Sequence, residues 1–280
     1  MLPRIIYQLV SMFSFGTGNV LWKLPQRSLR VFNIISLRTL VSLTLIGGIM
    51  LYLNQFQGSL SDWFWAVIIS VFSFLGLAFY NLSIKYSTVS QSITTTSISA
   101  LFGVLTSVLL YDESISWNLI LSMILIVLSL FLLEDKKPMF KWSKGTFFAL
   151  LAAFFWGTTF ALFKIPVQSI GEINFSFVLE LTVLVSAFIF GRFFKGAKPK
   201  ENPTMKTYLI IGLIGILGFI GVVSYNIAVI LIDVSVLSIM GAFTPIISIV
   251  LSHIILKERF KTIQYLGMSA TLIAVLLLLI

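Results

Sequence analysis

The sequence predicts an all-α integral membrane protein whose ten transmembrane helices form two inverted five-helix repeats. Three observations carry this prediction: a strongly apolar composition, ten apolar runs of membrane-spanning length, and a motif that occurs in both halves of the chain. Of the 280 residues, 58% are apolar and only 10% are charged, whereas a soluble domain holds about 25% charged residues. Lipid is therefore the main solvent, and we expect a multi-pass protein of the cell membrane, either a bacterial inner membrane or a plasma membrane.

The ten apolar runs, called spans below, are each close to the ~20 residues that a helix needs to cross a bilayer. They lie at about 5–22, 33–53, 63–84, 89–110, 116–134, 145–163, 173–194, 207–231, 234–255 and 262–280. Because a backbone in lipid must satisfy its own hydrogen bonds, we expect each span to be helical. Arg4 ahead of span one is also typical of a signal peptide, but the kinship of span one with span six predicts that it is retained.

This kinship is a duplicated motif. Residues 15–25 return with a shift of 141, and a second block returns with a shift of 145. The coinciding pairs are Gly16/Gly157, Thr17/Thr158, Leu21/Leu162, Lys23/Lys164 and Pro25/Pro166 in the first block, and Tyr80/Tyr225, Asn81/Asn226, Val89/Val234, Ser90/Ser235 and Glu113/Glu258 in the second. So long a period indicates a duplicated domain, since solenoid repeats are about 20–50 residues long.

The duplication predicts a first repeat at 1–135, a basic linker at 136–144 and a second repeat at 145–280. Because each repeat has an odd number of spans, the second must cross the membrane in the opposite direction to the first. Inverted repeats about a pseudo-two-fold axis in the membrane plane are typical of secondary transporters. The four extra residues of the second repeat are expected in its basic loop near 195–206.

The basic residues predict an orientation. Loops after the odd-numbered spans hold 16 of the 19 Lys and Arg residues, whereas the other face holds only Arg4 and Lys164, and Arg38 lies within a span. The positive-inside rule then places the first set of loops in the cytoplasm and both termini outside. The net charge of +9 is thus expected to face lipid headgroups rather than nucleic acid.

Three features occur together in this chain: two five-span repeats, a Gly-Thr-rich first span running into Lys-x-Pro, and a glutamate opening the fifth span of each repeat (Glu113 and Glu258). In this combination the chain resembles the EamA-type branch of the drug/metabolite transporter superfamily. The resemblance covers essentially the whole chain. It implies a central cavity lined by spans one, three and four and their mates six, eight and nine. It also implies cytoplasmic termini, in conflict with the charge count. Related small multidrug resistance proteins carry a carboxylate in their first span, which spans one and six lack here, so their proton-coupled export of cationic drugs is not carried over.

Polar and aromatic residues of these spans are the candidate cavity lining. The two Tyr-Asn pairs lie at equivalent depths, and an asparagine in lipid needs partners that a cavity would supply. The aromatic residues of spans one and six fit either an aromatic pocket or an interfacial belt. The candidates are Gly16, Thr17, Asn19, Trp22, Tyr80, Asn81, Thr94, Thr95, Trp156, Thr158, Phe160, Tyr225, Asn226, Ser238 and Thr244.

Spans four, eight and nine have unusual compositions. Nine of the thirteen residues 87–99 are Ser or Thr, and these hydroxyls fit either helix packing or cavity lining. Pro245 in span nine is expected to kink its helix, whereas Ala100 stands at the equivalent position. Glycines at every third residue over 212–221 favour close helix packing over a hinge.

Charged residues within the membrane are the candidates for coupling, namely Arg38, Glu180, Lys85 and Asp233. Lys85 and Asp233 lie near span ends and can reach the interface. Arg38 and Glu180 lie one third of the way into mate spans from opposite faces, so a direct pair requires both side chains to reach toward the midplane. The alternative is that each bonds separately to carbonyls, hydroxyls or water. A pair present in one access state only would act as a gate latch, with Glu180 as a proton acceptor when it opens.

The helix ends supply further candidates. Proline lacks an N–H and disfavours helix in the residue before it, so Lys23-Leu24-Pro25 and Lys164-Ile165-Pro166 should each end a span, one at each membrane face. The gate candidates are Lys23, Pro25, Lys164, Pro166 and Pro245. Glu113 and Glu258 are predicted to cap the helices that they open.

The predicted function is secondary transport, as export or facilitated movement, of a small organic metabolite or amphipathic solute by alternating access. A non-transporting membrane scaffold or lipid-binding protein is the alternative. An enzyme is not expected: the chain has no cysteine, residues 191–198 lack the P-loop lysine and hydroxyl, and His253 is interpreted as interfacial rather than as a proton relay. Expected partners are a small-molecule substrate, the lipid bilayer and a coupling ion, with the proton as candidate, but no nucleic acid and no cofactor. The protein is expected to be a monomer or homodimer.

Overall fold

The computed structural model describes residues 2–133, 143–193, 199, 201–257 and 262–277, which hold helices and short connections but no strand. The helices are α1 Leu2–Leu21, α2 Val31–Leu53, α3 Leu60–Tyr86, α4 Val89–Thr96, α5 Ser99–Tyr111, α6 Trp117–Leu133, α7 Lys144–Leu162, α8 Lys164–Ile170, α9 Glu172–Phe193, α10 Met205–Leu231, α11 Val234–Gly241, α12 Thr244–Leu256 and α13 Thr262–Leu277, with a 3₁₀ turn at Pro25–Arg27. Glu258, most of the predicted linker, and residues 195–198 and 200 of the basic loop near 195–206 lie outside the described residues.

Seven helical stretches of the described chain are long and apolar enough to cross a membrane. They are Val31–Leu53, Leu60–Tyr86, Gln91–Tyr111, Lys144–Ile170, Glu172–Phe193, Met205–Leu231 and Val234–Leu256. The remaining predicted spans coincide with α1, α6 and α13, of which α6 and α13 are shorter apolar helices.

The duplication in the sequence recurs in the helix bounds. Adding 145 to the bounds of α3, α4 and α5 (60–86, 89–96 and 99–111) gives those of α10, α11 and α12 (205–231, 234–241 and 244–256). The packing repeats too: α3 packs on α7 as its mate α10 packs on α1, and α2 packs on its own mate α9. Each repeat therefore completes the core of the other.

Proline sets where α1 and α7 end. The last residues of these helices, Leu21 and Leu162, lie four positions before Pro25 and Pro166, so each loses the amide that would continue the helix. After α1 the chain enters a 3₁₀ turn, as predicted. Helix α7 also ends just before Lys164-Ile165-Pro166, but after one residue the chain resumes as the short helix α8, which the sequence did not predict. Pro166 is tolerated there because it falls in the first turn of α8, where amides have no intrahelical acceptor.

Spans four and nine are both broken at equivalent positions. The breaks fall between α4 and α5 at 97–98 and between α11 and α12 at 242–243, which the shift of 145 relates. Pro245, which was predicted to kink its helix, lies in the first turn after the second break, and it has no N–H to continue α11. The first has no proline; instead the hydroxyls of Thr96 and Ser97 donate to the carbonyls of Ser92 (2.6 Å) and Ile93 (2.8 Å), a bonding pattern that bends helices.

The glycines of α10 allow close packing, as predicted. A Cβ built on Gly215 would be 2.6 Å from the Arg38 carbonyl oxygen, and one on Gly221 would be 2.8 Å from the Phe15 ring. Gly212 differs, because nothing lies within 4 Å of its Cβ position. The glycines at 215, 218 and 221 thus bring α10 against α1 and α2.

Candidate functional site

A cavity of about 200 Å³ lies between the two repeats, lined by α1, α2, α3, α4, α5, α7, α9, α10, α11 and α12. The resemblance to the EamA-type branch implied a cavity lined by six spans (one, three, four, six, eight and nine), and helices of all six line it. The structure adds α2 and α9 to the lining. The polar lining residues are Gln8, Ser11, Ser14, Asn19, Arg38, Ser73, Thr96, Ser97, Ser99, Glu180, Ser238 and Thr244, and the aromatic ones are Phe15, Trp22, Trp156, Phe160, Phe163 and Tyr225.

A buried ion pair forms part of the cavity wall. Arg38 Nη1 lies 2.8 Å from Glu180 Oε1, with the two side chains 8% and 1% exposed. The predicted direct pair between mate helices α2 and α9 is therefore confirmed. The Arg38 guanidinium also lies 5.9 Å from the ring centroid of Trp22, within cation–π range.

The ion pair leaves hydrogen-bonding capacity unused. Within the described chain, Arg38 Nε and Glu180 Oε2 have no hydrogen-bond partner. A buried polar atom without a partner is costly, so the protein compensates the two charges only in part.

Some predicted candidates line the cavity and others do not. The lining includes Asn19, Trp22, Trp156, Phe160, Tyr225, Ser238, Thr244, Arg38, Glu180 and Pro245. Outside it lie Gly16, Thr17, Tyr80, Asn81, Thr94, Thr95, Thr158, Asn226, Lys85, Asp233, Lys23, Pro25, Lys164 and Pro166.

Packing explains the Tyr-Asn pairs. The hydroxyl of Tyr80 donates to the carbonyl of Asn19 (3.4 Å), and that of Tyr225 donates to the carbonyl of Phe160 (3.1 Å), two acceptors that the shift of 141 relates. Tyr80 is fully buried by the protein and lies outside the lining, so of the two tyrosines only Tyr225 reaches the cavity. These hydrogen bonds join α1 to α3 and α7 to α10 in the same way.

The two asparagines are also fully buried. Gln26 Nε2 donates to Asn81 Oδ1 at 3.1 Å, and Asn226 Nδ2 donates to Ser176 Oγ at 2.8 Å. Protein groups therefore supply much of the hydrogen bonding of the two asparagines, which a cavity was expected to supply.

The small residues outside the lining have local roles. A Cβ on Gly16 would be 2.9 Å from Ile247 Cβ, so Gly16 brings α1 onto α12. Thr17 donates to the Phe13 carbonyl and Thr95 to the Gln91 carbonyl. Thr158 is half-buried, and Thr94 is buried with no partner for its hydroxyl in the described chain. The Ser/Thr run is thus divided: Thr96, Ser97 and Ser99 line the cavity while others pack.

The charged residues at helix ends make different contacts at the two ends of the molecule. Lys23 Nζ donates to the carbonyls of Ile84 and Ser87 at the end of α3. Its mate Lys164 instead places Nζ 4.8 Å from the ring centroid of Tyr111. Lys85 lies in the last turn of α3 and Asp233 is the N-cap residue of α11, exposed.

Glu113 caps a helix, but not the predicted one. Its Oε1 and Oε2 accept from the backbone amides of Val234 (2.9 Å) and Ser235 (2.8 Å) at the start of α11. Helix α6, which it was expected to cap, begins at Trp117 and is capped by Ser116. The glutamate therefore ties the first repeat to the N-terminus of a cavity-lining helix of the second.

Sequence reasoning missed one face of α1. Gln8, Ser11, Phe15 and Gly18 line the cavity, and their spacing of three and four residues places them on one helix face. That periodicity in an otherwise apolar helix was the available signal.

Comparison with known proteins identifies the family. Residues 2–134 and 143–280 match the EamA-like transporter family. The chain belongs to this family. As a member with seven helical stretches able to span a membrane, it is a multi-pass membrane protein of the drug/metabolite transporter superfamily.

Two individual matches agree with this family assignment. An uncharacterized transporter of Archaeoglobus fulgidus is 25% identical over 244 residues, covering 82% of this EamA-family chain and 82% of the relative. A protein of known crystal structure superposes with a TM-score of 0.74 at 15% identity, covering 96% of each chain. The second match bears on the fold alone.

Proposed function

We propose that this protein is a secondary transporter that carries a small organic metabolite or amphipathic solute through the central cavity by alternating access. Family membership supports a membrane transporter, and the cavity between two packed repeats supports the route. The observation that carries the proposal is the Arg38–Glu180 pair, since a buried charge pair joining mate helices at a cavity wall is a feature of substrate and ion pathways.

The proposed architecture has ten spans in two inverted repeats. Spans four and nine are the broken helices α4–α5 and α11–α12, and α1, α6 and α13 complete the set. Discontinuous helices at equivalent positions are typical of transporters whose binding sites lie near the bilayer midplane. We place the loops after the odd-numbered spans in the cytoplasm of a cell or plasma membrane, on the basis of the basic residues.

The cavity leaves room for a side chain at Gly18. Gly18 lines it, and nothing lies within 4 Å of a Cβ built on this glycine. Gly48 on α2 has the same open Cβ position but is exposed and lies outside the lining. Gly18→Phe therefore tests the cavity, with Gly48→Phe as its matched control.

The experiment is counterflow of a panel of labelled metabolites into proteoliposomes. Wild type and Gly48→Phe should accumulate at least one solute, whereas Gly18→Phe, purified at equal yield and thermal stability, should accumulate none. If no solute enters with folded wild-type protein, the transport proposal fails and a membrane scaffold or lipid-binding role replaces it. Flux that survives Gly18→Phe would contradict the cavity as the route.

A further inference from the structure

A cluster of aromatic rings lines the cavity, with Phe160 of α7 at its centre. The Phe160 ring contacts four other rings from α1, α7 and α10, all of which line the cavity. The distances between ring centroids are 6.2 Å to Phe15, 6.2 Å to Trp156, 5.4 Å to Phe163 and 5.0 Å to Tyr225. Such distances are typical of favourable aromatic pairs.

Three rings of this cluster keep exposed surface. Phe163 and Tyr225 are buried, at 1% and 6% exposure, whereas Phe15, Trp156 and Phe160 are only partly buried. These last three rings are called the aromatic wall below. A partly exposed ring in a cavity lining can take one more ring as a stacked or edge-to-face partner, so the wall favours an aromatic solute.

The charges of the lining already compensate each other. Of the described residues that line the cavity, Arg38 and Glu180 alone are charged, and they bind to each other at 2.8 Å. Burying an ion without a counter-charge is costly. The lining therefore favours a solute that is uncharged.

The cavity volume limits the size of the solute. Pockets for drug-sized ligands have volumes of about 300–1,000 Å³, whereas this cavity has about 200 Å³. A solute of one or two rings fits this volume better than a drug-sized molecule.

Asn19 of α1 supplies a polar group near the aromatic wall. It lines the cavity and is partly buried, and within the described chain its side-chain amide has no hydrogen-bond partner. Tyr80 connects it to the wall: the Tyr80 hydroxyl donates to the Asn19 carbonyl at 3.4 Å, and the Tyr80 ring centroid lies 5.0 Å from that of Trp156. The side-chain amide of Asn19 can both donate and accept a hydrogen bond.

We propose that the solute of this cavity is an uncharged aromatic molecule of one or two rings, whose ring packs on the aromatic wall and whose polar group hydrogen-bonds to the Asn19 side chain. The inference rests on the proposed transport function, because it names the class of solute that is carried.

The proposed site is asymmetric about the pseudo-two-fold axis. The shift of 141 relates Phe15 to Trp156, so both repeats contribute a ring at this position, but it relates Asn19 to Phe160. One mate position is thus polar and the other aromatic. A bound solute would direct its polar group to α1 of the first repeat and its ring to α7 of the second.

Ligand-dependent thermal stability of the purified protein tests this class without requiring transport, because a ligand of the native state raises Tm as its concentration passes Kd. The probes are benzamide and cyclohexanecarboxamide, which share the amide and differ in the aromaticity of the ring. We expect benzamide to bind about two- to tenfold more tightly, since aromatic pairs add to the burial of apolar area.

The charge of the solute is tested with two further probes of nearly the same shape. Benzamidinium carries a positive charge and benzoate a negative one. Because the lining offers no unpaired counter-charge, each should bind at least about tenfold more weakly than benzamide.

Four variants locate the binding. Phe160→Leu removes the central ring and should abolish the preference for benzamide over cyclohexanecarboxamide; if this variant does not fold, Phe15→Leu removes another ring of the wall. Asn19→Leu should weaken the binding of both amides about fivefold, the effect of one neutral hydrogen bond, and leave the ring preference intact. Phe147→Leu is the matched control, because Phe147 is an exposed ring of the same helix that lies outside the lining.

Each outcome bears on one part of the proposal. Equal binding of the two amides to wild type, or a ring preference that survives Phe160→Leu and Phe15→Leu, overturns the aromatic site. Tighter binding of benzamidinium than of benzamide overturns the uncharged class, because the wall would then act through cation–π contacts. Counterflow is measured separately: flux of other solutes without a ring preference leaves transport standing, and ring-selective binding without any flux leaves the site standing.

Discussion

Gly218 of α10 faces the guanidinium group of Arg38: a Cβ built on this glycine would be 2.9 Å from Nη1, closer than carbon and nitrogen can approach. Gly218→Ala must therefore displace the atom that donates to Glu180. We expect the substitution to lower the free energy of unfolding by about 1–3 kcal/mol, the usual cost of overpacking, measured by thermal unfolding in detergent.

Gly212→Ala on the same helix is the control for that prediction. Nothing lies within 4 Å of its Cβ position, so only the helix propensity changes, and stability should rise by up to about 1 kcal/mol. Equal effects of the two substitutions would show that Gly218 makes no specific room for Arg38.

The Arg38–Glu180 pair should be energetically coupled. Arg38→Gln or Glu180→Gln alone leaves an uncompensated buried charge, which costs about 3–5 kcal/mol. Arg38→Gln/Glu180→Gln removes both charges and should be more stable than either single variant. A double-mutant cycle on thermal stability measures the coupling, with exposed Arg192→Gln on α9 as the control that changes stability by less than about 0.5 kcal/mol.

Strictly additive losses would contradict the coupling. The same variants also test the hypothesis that the pair is a gate latch, which opens during transport so that Glu180 takes up a proton. On this hypothesis the pH dependence of counterflow should disappear in Glu180→Gln and persist in Arg192→Gln. A pH profile unchanged in Glu180→Gln would leave the pair with a structural role only.

The Arg38–Glu180 pair was predictable because isolated charges in lipid need compensation, and the repeat placed the two residues in mate helices. The helices were predictable because lipid enforces backbone pairing. For most helices, the face that lines the cavity was not predictable, because nearly all faces are apolar and the amphipathicity that orients a soluble helix is weak; α1 is the exception. Tyr80 shows the consequence: its depth was recognisable from the sequence, but its packed environment depends on the carbonyl of Asn19, which no side-chain pattern reports.

The helix that Glu113 caps was unpredictable for a related reason. A carboxylate before a helix normally caps that helix, but the chain brings the start of α11 closer. Only the packing of the two repeats reveals this contact.

Glu113→Gln should weaken the link between the repeats. The carboxylate accepts two backbone hydrogen bonds from Val234 and Ser235, and a neutral amide offers a single acceptor oxygen without the charge that favours a helix N-terminus. We expect a loss of about 0.5–2 kcal/mol in thermal stability, the range for N-cap changes.

Asp112→Asn is the matched control for Glu113. Asp112 is adjacent and exposed, and its φ of 50° is one that asparagine tolerates well. Its substitution should leave stability within about 0.5 kcal/mol of wild type. If both variants behave alike, the cap on α11 contributes little beyond surface charge.

The two Lys-x-Pro segments should bias the cavity toward opposite faces when their prolines are replaced. Pro25→Ala and Pro166→Ala each restore an amide that can donate to the last carbonyl of α1 or α7. The two segments have different surroundings. After α1 the chain enters the 3₁₀ turn, and Lys23 binds to the end of α3. After α7 the chain resumes as α8 following one residue, and Lys164 lies over the ring of Tyr111. Extending α1 should pull Lys23 from the carbonyls of Ile84 and Ser87 and open that end of the molecule. Joining α7 to α8 should instead alter the Lys164 end.

Accessibility of a single cysteine measures this bias, since the chain has none of its own. Ser14→Cys places the thiol in the cavity lining, and a membrane-impermeant maleimide applied to either side of oriented vesicles reports which face is open. Pro25→Ala should raise labelling from the face of the Lys23 end by about tenfold, as a shift of about 1.4 kcal/mol between the access states would produce, and Pro166→Ala should raise labelling from the other face. Pro203→Ala, in an exposed loop, is the control that should leave the wild-type ratio unchanged. A gate at one face opens the cavity to that face only. Equal and symmetric effects of Pro25→Ala and Pro166→Ala on labelling would therefore mean that both prolines only stop helices.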